Sequence, residues 1–195
     1  MLKACKYTKS WESDESIVSS RPTVDRDQCI VLLLLSTGIR ASELCAICFK
    51  DIKMSERSIT VSGKGRGQGK KQRLVHFGKS TARALWRYLS PRMKSLKPDD
   101  LIFTVGPEDA PRPMTRDRLL KLINAIGARA GVGAHPHKFR HTFATNYLRN
   151  GGDLFTLKAL LGHTTLEMVQ RYAQIVSADC AREHEKADPV DNWRL

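Results

Sequence analysis

Residues 135–172 read HPHKFRHTFATNYLRNGGDLFTLKALLGHTTLEMVQRY, and this stretch of sequence decides the fold. The spacing of its apolar side chains predicts three helices, at 137–150, 154–161 and 166–175. Gly151 and Gly152 end the first of these helices. The turn at 162–165 separates the other two and places His163 at the start of the third helix. Consecutive helices of this kind predict a mainly helical domain.

The same stretch carries four side chains suited to phosphodiester chemistry: His137, Arg140, His163 and Tyr172. His137 and Arg140 are three residues apart in a predicted helix, so both project from one face and can meet a single anion. Tyr172 ends an apolar-periodic run nine residues after His163. This position presents its phenol to whatever the histidines and Arg140 hold, and a phenol there can act as a nucleophile.

Upstream sequence predicts further helices and a small antiparallel sheet. Predicted helices lie at 23–35, 42–48, 80–89 and 115–130, and short extended segments at 52–54, 58–61, 73–77 and 101–103. Thr23 or Asp25 caps the first helix and Gly38 follows its end. Arg40 opens the second. The predicted fold class is therefore mainly α with a small antiparallel β-sheet (α+β).

Five motifs in this order resemble the catalytic domain of the tyrosine recombinases, the phage integrase family. The family pattern has an arginine opening a helix after a Thr-Gly turn, a lysine in a β-hairpin, a His-x-x-Arg pair, a Leu-Gly-His turn and a tyrosine about nine residues later. In this sequence the motifs read Thr37-Gly38-Ile39-Arg40, Gly63-Lys64-Gly65, His137 to Arg140, Leu161-Gly162-His163 and Tyr172. The resemblance spans most of the chain.

The resemblance implies a catalytic role for six residues: Arg40, Lys64, His137, Arg140, His163 and Tyr172. Arg40 and Arg140 would clamp the nonbridging phosphate oxygens through charge-assisted hydrogen bonds, and His163 would donate to the same phosphate. His137 either hydrogen-bonds the phosphate or accepts the proton of the phenol. Tyr172 would attack the phosphorus. No metal ion or other cofactor is implied.

Lys64 is expected to be the general acid that protonates the leaving 5′-oxygen. Arg66, Lys70 and Lys71 share the same glycine-rich loop, and the alternative is that all of them are phosphate-binding charges. The loop does not match the phosphate-loop pattern of nucleotide-binding proteins, because Lys71 stands where that pattern has Ser or Thr.

Three other tyrosines compete with Tyr172 for the role of nucleophile. Tyr7 lies in a polar leading segment, and Tyr88 lies in a predicted helix beside apolar residues, where an aromatic ring is more often part of a core. Tyr147 is the stronger rival because it lies seven residues after Arg140. The resemblance favours Tyr172, since the family's nucleophile follows the Leu-Gly-His turn.

Composition favours a polyanion partner in a reducing compartment. The 33 Lys and Arg exceed the 20 Asp and Glu, which gives a formal charge of +13 and points to a polyanion partner such as nucleic acid. The resemblance implies that this partner is double-stranded DNA. The longest apolar run, residues 30–35, is far short of the ~20 residues of a membrane-spanning helix. Five cysteines without a secretory signal predict free thiols and a cytoplasmic protein. The DNA partner that the resemblance implies would make it nucleoid-associated. Cys45 and Cys48 are expected to pack in the core rather than bind metal.

The predicted organisation is a linker at 1–22, a catalytic domain at 23–176 and a C-terminal segment at 177–195. The resemblance implies a homotetramer on paired DNA sites, with the C-terminal segment exchanged between protomers or packed on its own chain. The family usually places a helical DNA-clamping domain before the catalytic one, so we expect a fragment or a truncated relative.

The activity implied is cleavage and rejoining of DNA strands through a 3′-phosphotyrosyl link, as in site-specific recombination and integration. Two alternatives stay open: a type IB topoisomerase-like enzyme that rejoins the same strand, and a catalytically silent DNA-binding protein.

Overall fold

The computed structural model describes residues 1–6, 23–63, 72–107, 110–163, 165–188 and 190. Within these ranges the α-helices are α1 (Val24–Thr37), α2 (Ala41–Cys45), α3 (Lys79–Leu89), α4 (Arg116–Arg129), α5 (Pro136–Arg149), α6 (Leu154–Leu161) and α7 (Glu167–Ala187). The strands are β1 (Ile52–Lys53), β2 (Ser58–Ser62), β3 (Gln72–His76), β4 (Thr104–Val105) and β5 (Arg112–Pro113). Short 3₁₀ turns lie at Lys3–Cys5, Phe49–Asp51 and Ser90–Arg92. The predicted fold class is confirmed. None of the described helices is long and apolar enough to cross a membrane.

Most predicted helices are confirmed to within one or two residues, because local side-chain and backbone signals define their ends. The Asp153 side chain accepts a hydrogen bond from the Thr156 backbone at 2.8 Å and begins α6. Gly38 ends α1 with a φ of 61°. A Cβ at that position would lie 2.3 Å from the Phe143 ring, so the turn between α1 and α2 requires glycine.

The predicted helix at 42–48 is too long. Helix α2 ends at Cys45, and Cys48 instead forms an antiparallel bridge with Leu101. Because Cys48 pairs with a distant residue in an extended conformation, it cannot continue the helix, and the prediction of a buried helical stripe ending at Cys48 was wrong.

Cys29, Cys45 and Cys48 carry free thiols, as predicted. The predicted extended segment at 101–103 is reduced to the bridge, and the hairpin of β4 and β5 was not predicted.

The helix predicted at 166–175 continues to Ala187 as α7. The predicted boundary between residues 176 and 177 therefore falls inside one continuous helix. His163 does not start this helix. It lies just after α6, where its backbone N–H donates to the Lys158 carbonyl at 3.1 Å and the Gly162 N–H donates to the Ala159 carbonyl at 3.0 Å. This pair of bonds is the Schellman motif that closes a helix.

The main core forms around α1, on which α3 and α5 both pack. Ile30, Leu33 and Leu34 are fully buried there. Burial of each such side chain contributes roughly 1.5–3 kcal/mol relative to exposure. A second cluster lies between α5, α6 and α7 and consists of Ala144, Leu157, Leu161, Val169 and Tyr172. Tyr172 is thus held in place by the packing of three helices.

The larger sheet has the order β1-β2-β3, with all pairs antiparallel. Ile59 and Val75, which are partners in the β2–β3 register, are both buried on the core side. Arg73 lies two residues before Val75, so it is on the same face of β3, and it pairs with Val61 in the register. Its side chain hydrogen-bonds Glu43 of α2 and the Leu160 carbonyl of α6. The sheet therefore connects the helix after Arg40 with the helix before His163.

Candidate active site

Arg140 lies at the centre of the site, on the inner side of α5, with only 4% of its surface exposed. Its two Nη atoms donate to the Gly38 carbonyl at 2.8 Å and to the Leu161 carbonyl at 2.6 Å. These bonds tie α5 to the turn after α1 and to the end of α6. A guanidinium has five N–H donors, so two bonds leave donors for a ligand. Burial, and then repulsion from Arg40, lowers the pKa of Arg140 to about 10, which keeps it charged at neutral pH.

Arg40 stands immediately before α2, and its side chain is 40% exposed. The buried carboxylate of Glu43 accepts hydrogen bonds from the Arg40 backbone N–H at 2.8 Å and from its Nη1 at 3.0 Å. Burial acts to raise the pKa of Glu43, but hydrogen bonds from Arg73 and Arg40 lower it to about 2. The carboxylate is therefore ionised at neutral pH and holds the Arg40 guanidinium at the edge of the site.

His163 lies in the turn after α6, and its imidazole is partly buried. Its Nδ1 is buried and has no hydrogen-bond partner among the described residues. Burial, together with the charges of Arg140, Arg40 and Arg73, lowers the pKa of His163 to about 4. The imidazole is neutral at pH 7, so it can donate one hydrogen bond to an anion without carrying a charge. Arg140 bonds the carbonyls of Gly38 and Leu161, two residues from Arg40 and His163 respectively, so these groups lie in one positive region.

Tyr172 lies in the second turn of α7 and is 4% exposed. Burial raises the pKa of its phenol, while the charges of Arg140 and Arg171 act in the opposite direction. The phenol is therefore protonated at neutral pH. Its ring lies beside that of His141, with 5.3 Å between the ring centroids.

His137 and His141 form a hydrogen-bonded pair on one face of α5, with 2.7 Å between their Nε2 atoms. His137 is exposed, whereas His141 lies between it and the Tyr172 ring. Burial, and then the charge of His137, lowers the pKa of His141. Sequence reasoning missed His141, although its spacing of four residues from His137 places it on the same helical face.

The structure thus gathers four of the six predicted residues, Arg40, Arg140, His163 and Tyr172, around the ends of α1, α6 and the start of α7. His137 joins them through His141. Lys64 and the rival loop residues Arg66, Lys70 and Lys71 lie outside the described residues, as does Tyr7.

The two rival tyrosines that the structure describes have packing roles. The Tyr147 ring contacts Phe143 with 5.8 Å between centroids, and Gly152 lies directly against it. The Tyr88 hydroxyl donates to the Ile102 carbonyl at 2.7 Å.

Glu43 and Arg73 also belong to the site, and sequence reasoning did not identify them as functional. Arg73 donates to both oxygens of Glu43 at 2.8 Å. The two residues are 30 positions apart, so no local pattern pairs them. The available signal was a carboxylate next to the apolar Leu44 in a short helix expected to pack in the core, because a buried charge requires a partner.

Chemically, the site is a partly buried cluster of guanidiniums with a neutral imidazole donor, and it lies against a protonated phenol. Such a cluster can bind an anion with several oxygens and hold it near a potential nucleophile. In the described part of the chain, no group of three or more His, Cys, Asp or Glu side chains could hold a metal ion.

Residues 10–178 match the model of the phage integrase family. The chain belongs to this family. As a family member it resembles tyrosine recombinase XerC of Staphylococcus carnosus, with 37% identity over 168 residues, 84% of this chain and 54% of that protein. Tyrosine recombinase XerA of Saccharolobus solfataricus is 32% identical over 187 residues, 96% of this chain and 53% of that protein.

A solved structure of this family supports the same assignment. The crystal structure of XerA recombinase superposes with a TM-score of 0.71 at 30% identity, over 85% of this chain and 59% of that chain. This integrase family member spans about half the length of the two curated relatives named above. The mainly helical fold inferred from its sequence is that of the tyrosine recombinase catalytic domain.

Proposed function

We propose that this chain is the catalytic part of a site-specific DNA recombinase that cuts and rejoins DNA strands through a 3′-phosphotyrosyl intermediate. One observation carries the proposal: Arg140 donates to the carbonyls of Gly38 and Leu161, two residues from Arg40 and His163 respectively, and Leu161 packs in one buried cluster with Tyr172. The oxygens of a scissile phosphate in this region would accept hydrogen bonds from the two planar guanidiniums and from an N–H of the neutral His163 imidazole.

In the proposed reaction the Tyr172 oxygen attacks the scissile phosphorus. A bond forms between that oxygen and phosphorus, and the bond between phosphorus and the 5′-oxygen breaks. Negative charge that develops on the nonbridging oxygens is stabilised by Arg40 and Arg140, which are already charged and oriented. A 5′-hydroxyl from the partner strand then attacks the phosphotyrosine, which restores the phosphodiester and the phenol.

The phenol proton needs an acceptor, because Tyr172 is protonated at neutral pH. His141 is the imidazole whose ring adjoins the phenol ring, and its lowered pKa makes it neutral at pH 7. Its hydrogen bond with the exposed His137 provides a route from the phenol toward solvent. We therefore assign proton acceptance to the pair of His137 and His141 rather than to His137 alone.

Lys64 is proposed to protonate the 5′-oxygen as it leaves. Lys64→Ala should slow cleavage by roughly 10²- to 10⁴-fold. A substrate with sulfur at the 5′-bridging position has a better leaving group, so it should restore most of the rate in this variant. Lys70→Ala and Lys71→Ala are the matched controls, and their cleavage rates should not depend on the sulfur substitution. Rescue confined to one of these controls would assign the acid to that lysine.

Binding to duplex DNA should weaken steeply as salt rises. Lysine and arginine contacts to phosphates release counterions, so the logarithm of affinity should fall with the logarithm of salt by about 0.9 per neutralised phosphate. Fluorescence anisotropy with labelled duplexes at several salt concentrations measures this slope. An affinity that does not change with salt would contradict a DNA-binding role.

The activity is tested with a pool of nicked duplexes whose sequence around the nick is randomised, because the DNA site is unknown. Cleavage beside the nick releases a short strand carrying the 5′-hydroxyl, so rejoining fails and the protein stays attached to DNA. We expect attached complexes that survive denaturation in EDTA. Their absence from a pool that the protein binds would contradict the proposal. Relaxation of plasmids without sequence dependence would indicate topoisomerase activity instead.

We extend the proposal to organisation and assembly. Residues 1–22 would form an N-terminal lead or linker whose Ala4 and Cys5 are buried in the main core, 23–176 would form the catalytic domain, and 177–195 would be exchanged between the protomers of a tetramer on paired sites. The exposed continuation of α7 beyond Ser177 supports an exchanged role, because its described side chains are mostly exposed in the single chain. Action on chromosomal or mobile-element DNA would place the protein in the cytoplasm at the nucleoid.

A further inference from the structure

Arg73 of β3 makes three hydrogen bonds that join two separate parts of the site. Its Nη1 and Nη2 donate to the two carboxylate oxygens of Glu43, each at 2.8 Å. Its Nε donates to the Leu160 carbonyl at 2.7 Å. The contact between Nη1 and the Glu43 carboxylate is also an ion pair. With a side chain only 13% exposed, Arg73 forms a buried link from α2 to the end of α6.

Each end of this link holds a residue that faces the proposed phosphate position. At one end, the same Glu43 carboxylate accepts from the backbone and side chain of Arg40. At the other end, Leu160 lies three residues before His163. Gly162 packs directly on the Arg73 guanidinium, where a Cβ would approach Nη1 to 3.1 Å. The turn that carries His163 is therefore built against Arg73.

The contacts need the planar fork of arginine. A guanidinium satisfies both carboxylate oxygens and one carbonyl at fixed angles, whereas an ammonium group is a point charge on a flexible stem. Arg73 also supports the ionised state of Glu43: burial acts against ionisation, and the hydrogen bonds from Arg73 and Arg40 overcome it.

We propose that Arg73 is a positioning residue of this active site, which aligns Arg40 through Glu43 and the His163 turn through the Leu160 carbonyl. The inference rests on the strand-cleaving function proposed above. Arg73 acts through these neighbours, so its loss should reduce the rate of cleavage and leave the binding of DNA nearly unchanged.

The first test is Arg73→Lys, measured by single-turnover cleavage on the DNA site recovered from the nicked pool. The rate constant should fall roughly 10- to 100-fold, because small displacements of catalytic groups have effects of this size. A merely structural role would lower the amplitude, which reports the folded fraction, and would leave the rate constant unchanged.

Arg26→Lys is a matched control. Arg26 is 15% exposed, pairs with the fully buried Asp27, and donates to the Thr104 carbonyl at 3.1 Å. It therefore resembles Arg73 in burial and bonding, but it lies in the first turn of α1, at the opposite end of that helix from the site. The single-turnover rate constant of Arg26→Lys should stay at the wild-type value.

A double-mutant cycle separates positioning through Glu43 from an independent effect. The Arg40→Lys and Arg73→Lys variants should combine less than multiplicatively, because part of the effect of Arg73 passes through the guanidinium that Arg40→Lys has already removed. If the rate reduction of the double variant equals the product of the two single reductions, the proposed link from Arg73 to Arg40 is contradicted. Glu43→Gln interrupts the same link with little change of shape and keeps the test open if the Arg73 variants do not fold. A wild-type rate constant in Glu43→Gln would overturn the proposal.

The last test does not depend on cleavage. In Arg73→Gln, the pKa of Glu43 should rise from its wild-type value, because burial is then opposed without the hydrogen bonds and charge of Arg73, while Arg40 and Arg140 are the positive groups that still face it. Carbonyl-detected NMR of the protein without DNA measures this titration. The variant's cleavage rate should then fall more steeply with decreasing pH than that of the wild type, whose rate falls only as the proton-accepting His141 becomes protonated. An unchanged Glu43 titration would overturn the Arg73 inference alone, whereas a wild type that never cleaves DNA would overturn the proposed function.

Discussion

Arg140→Lys should reduce the single-turnover rate of strand cleavage by roughly 10²- to 10³-fold, the usual effect of removing a preorganised donor from a developing oxyanion. Lysine keeps the positive charge but cannot donate to the Gly38 and Leu161 carbonyls and also bind a phosphate through two parallel bonds. The loss should appear in the chemical step. DNA affinity should change less than about threefold, because it is spread over many phosphate contacts.

The measurement pairs cleavage kinetics with anisotropy and thermal unfolding. Arg149→Lys is a suitable control, since Arg149 is exposed at the other end of the same helix. Near wild-type cleavage by Arg140→Lys would show that a point charge suffices and that Arg140 does not clamp the phosphate. A large loss of affinity with unchanged chemistry would make Arg140 a binding residue instead.

Sequence reasoning predicted the helices whose ends carry their own signals. Asp153 and Gly162 bound α6, and the observed helix has the predicted limits. The predicted helix ends were wrong in two situations: where the chain pairs with a residue distant in sequence, and where the sequence contains no residue that stops a helix. The bridge from Cys48 to Leu101 shortened α2, which no local pattern could reveal. The sequence after Ile175 is mostly polar but has no glycine or proline before Pro189, so ending the predicted helix at Ile175 was wrong.

The same division holds for the candidate site. Arg40, Arg140, His163 and Tyr172 could be proposed because they stand in linear motifs, and the fold brings them together. The residues that hold these four in place do not stand in linear motifs, so sequence reasoning could not propose them. Arg73 reaches Glu43 and Leu160 only after β3 has packed beside α2 and α6. His141 gains its place only when α7 brings the Tyr172 ring against α5.

Tyr172→Phe should abolish covalent attachment to DNA while the protein folds and binds as before. The change removes one oxygen, and the ring keeps its contacts in the cluster of α5, α6 and α7. No other described tyrosine has equivalent surroundings: Tyr88 bonds the Ile102 carbonyl, and Tyr147 packs against Phe143. Tyr147→Phe is therefore the matched control and should retain attachment.

The most direct test of the central claim is denaturing electrophoresis of nicked DNA incubated with wild type, Tyr172→Phe and Tyr147→Phe in EDTA, followed by peptide mapping of the attached protein. We predict a DNA-linked band for wild type and Tyr147→Phe, with the nucleotide on the peptide that contains Tyr172, and no such band for Tyr172→Phe. A band with Tyr172→Phe, or a nucleotide mapped to Tyr147, would contradict Tyr172 as the nucleophile.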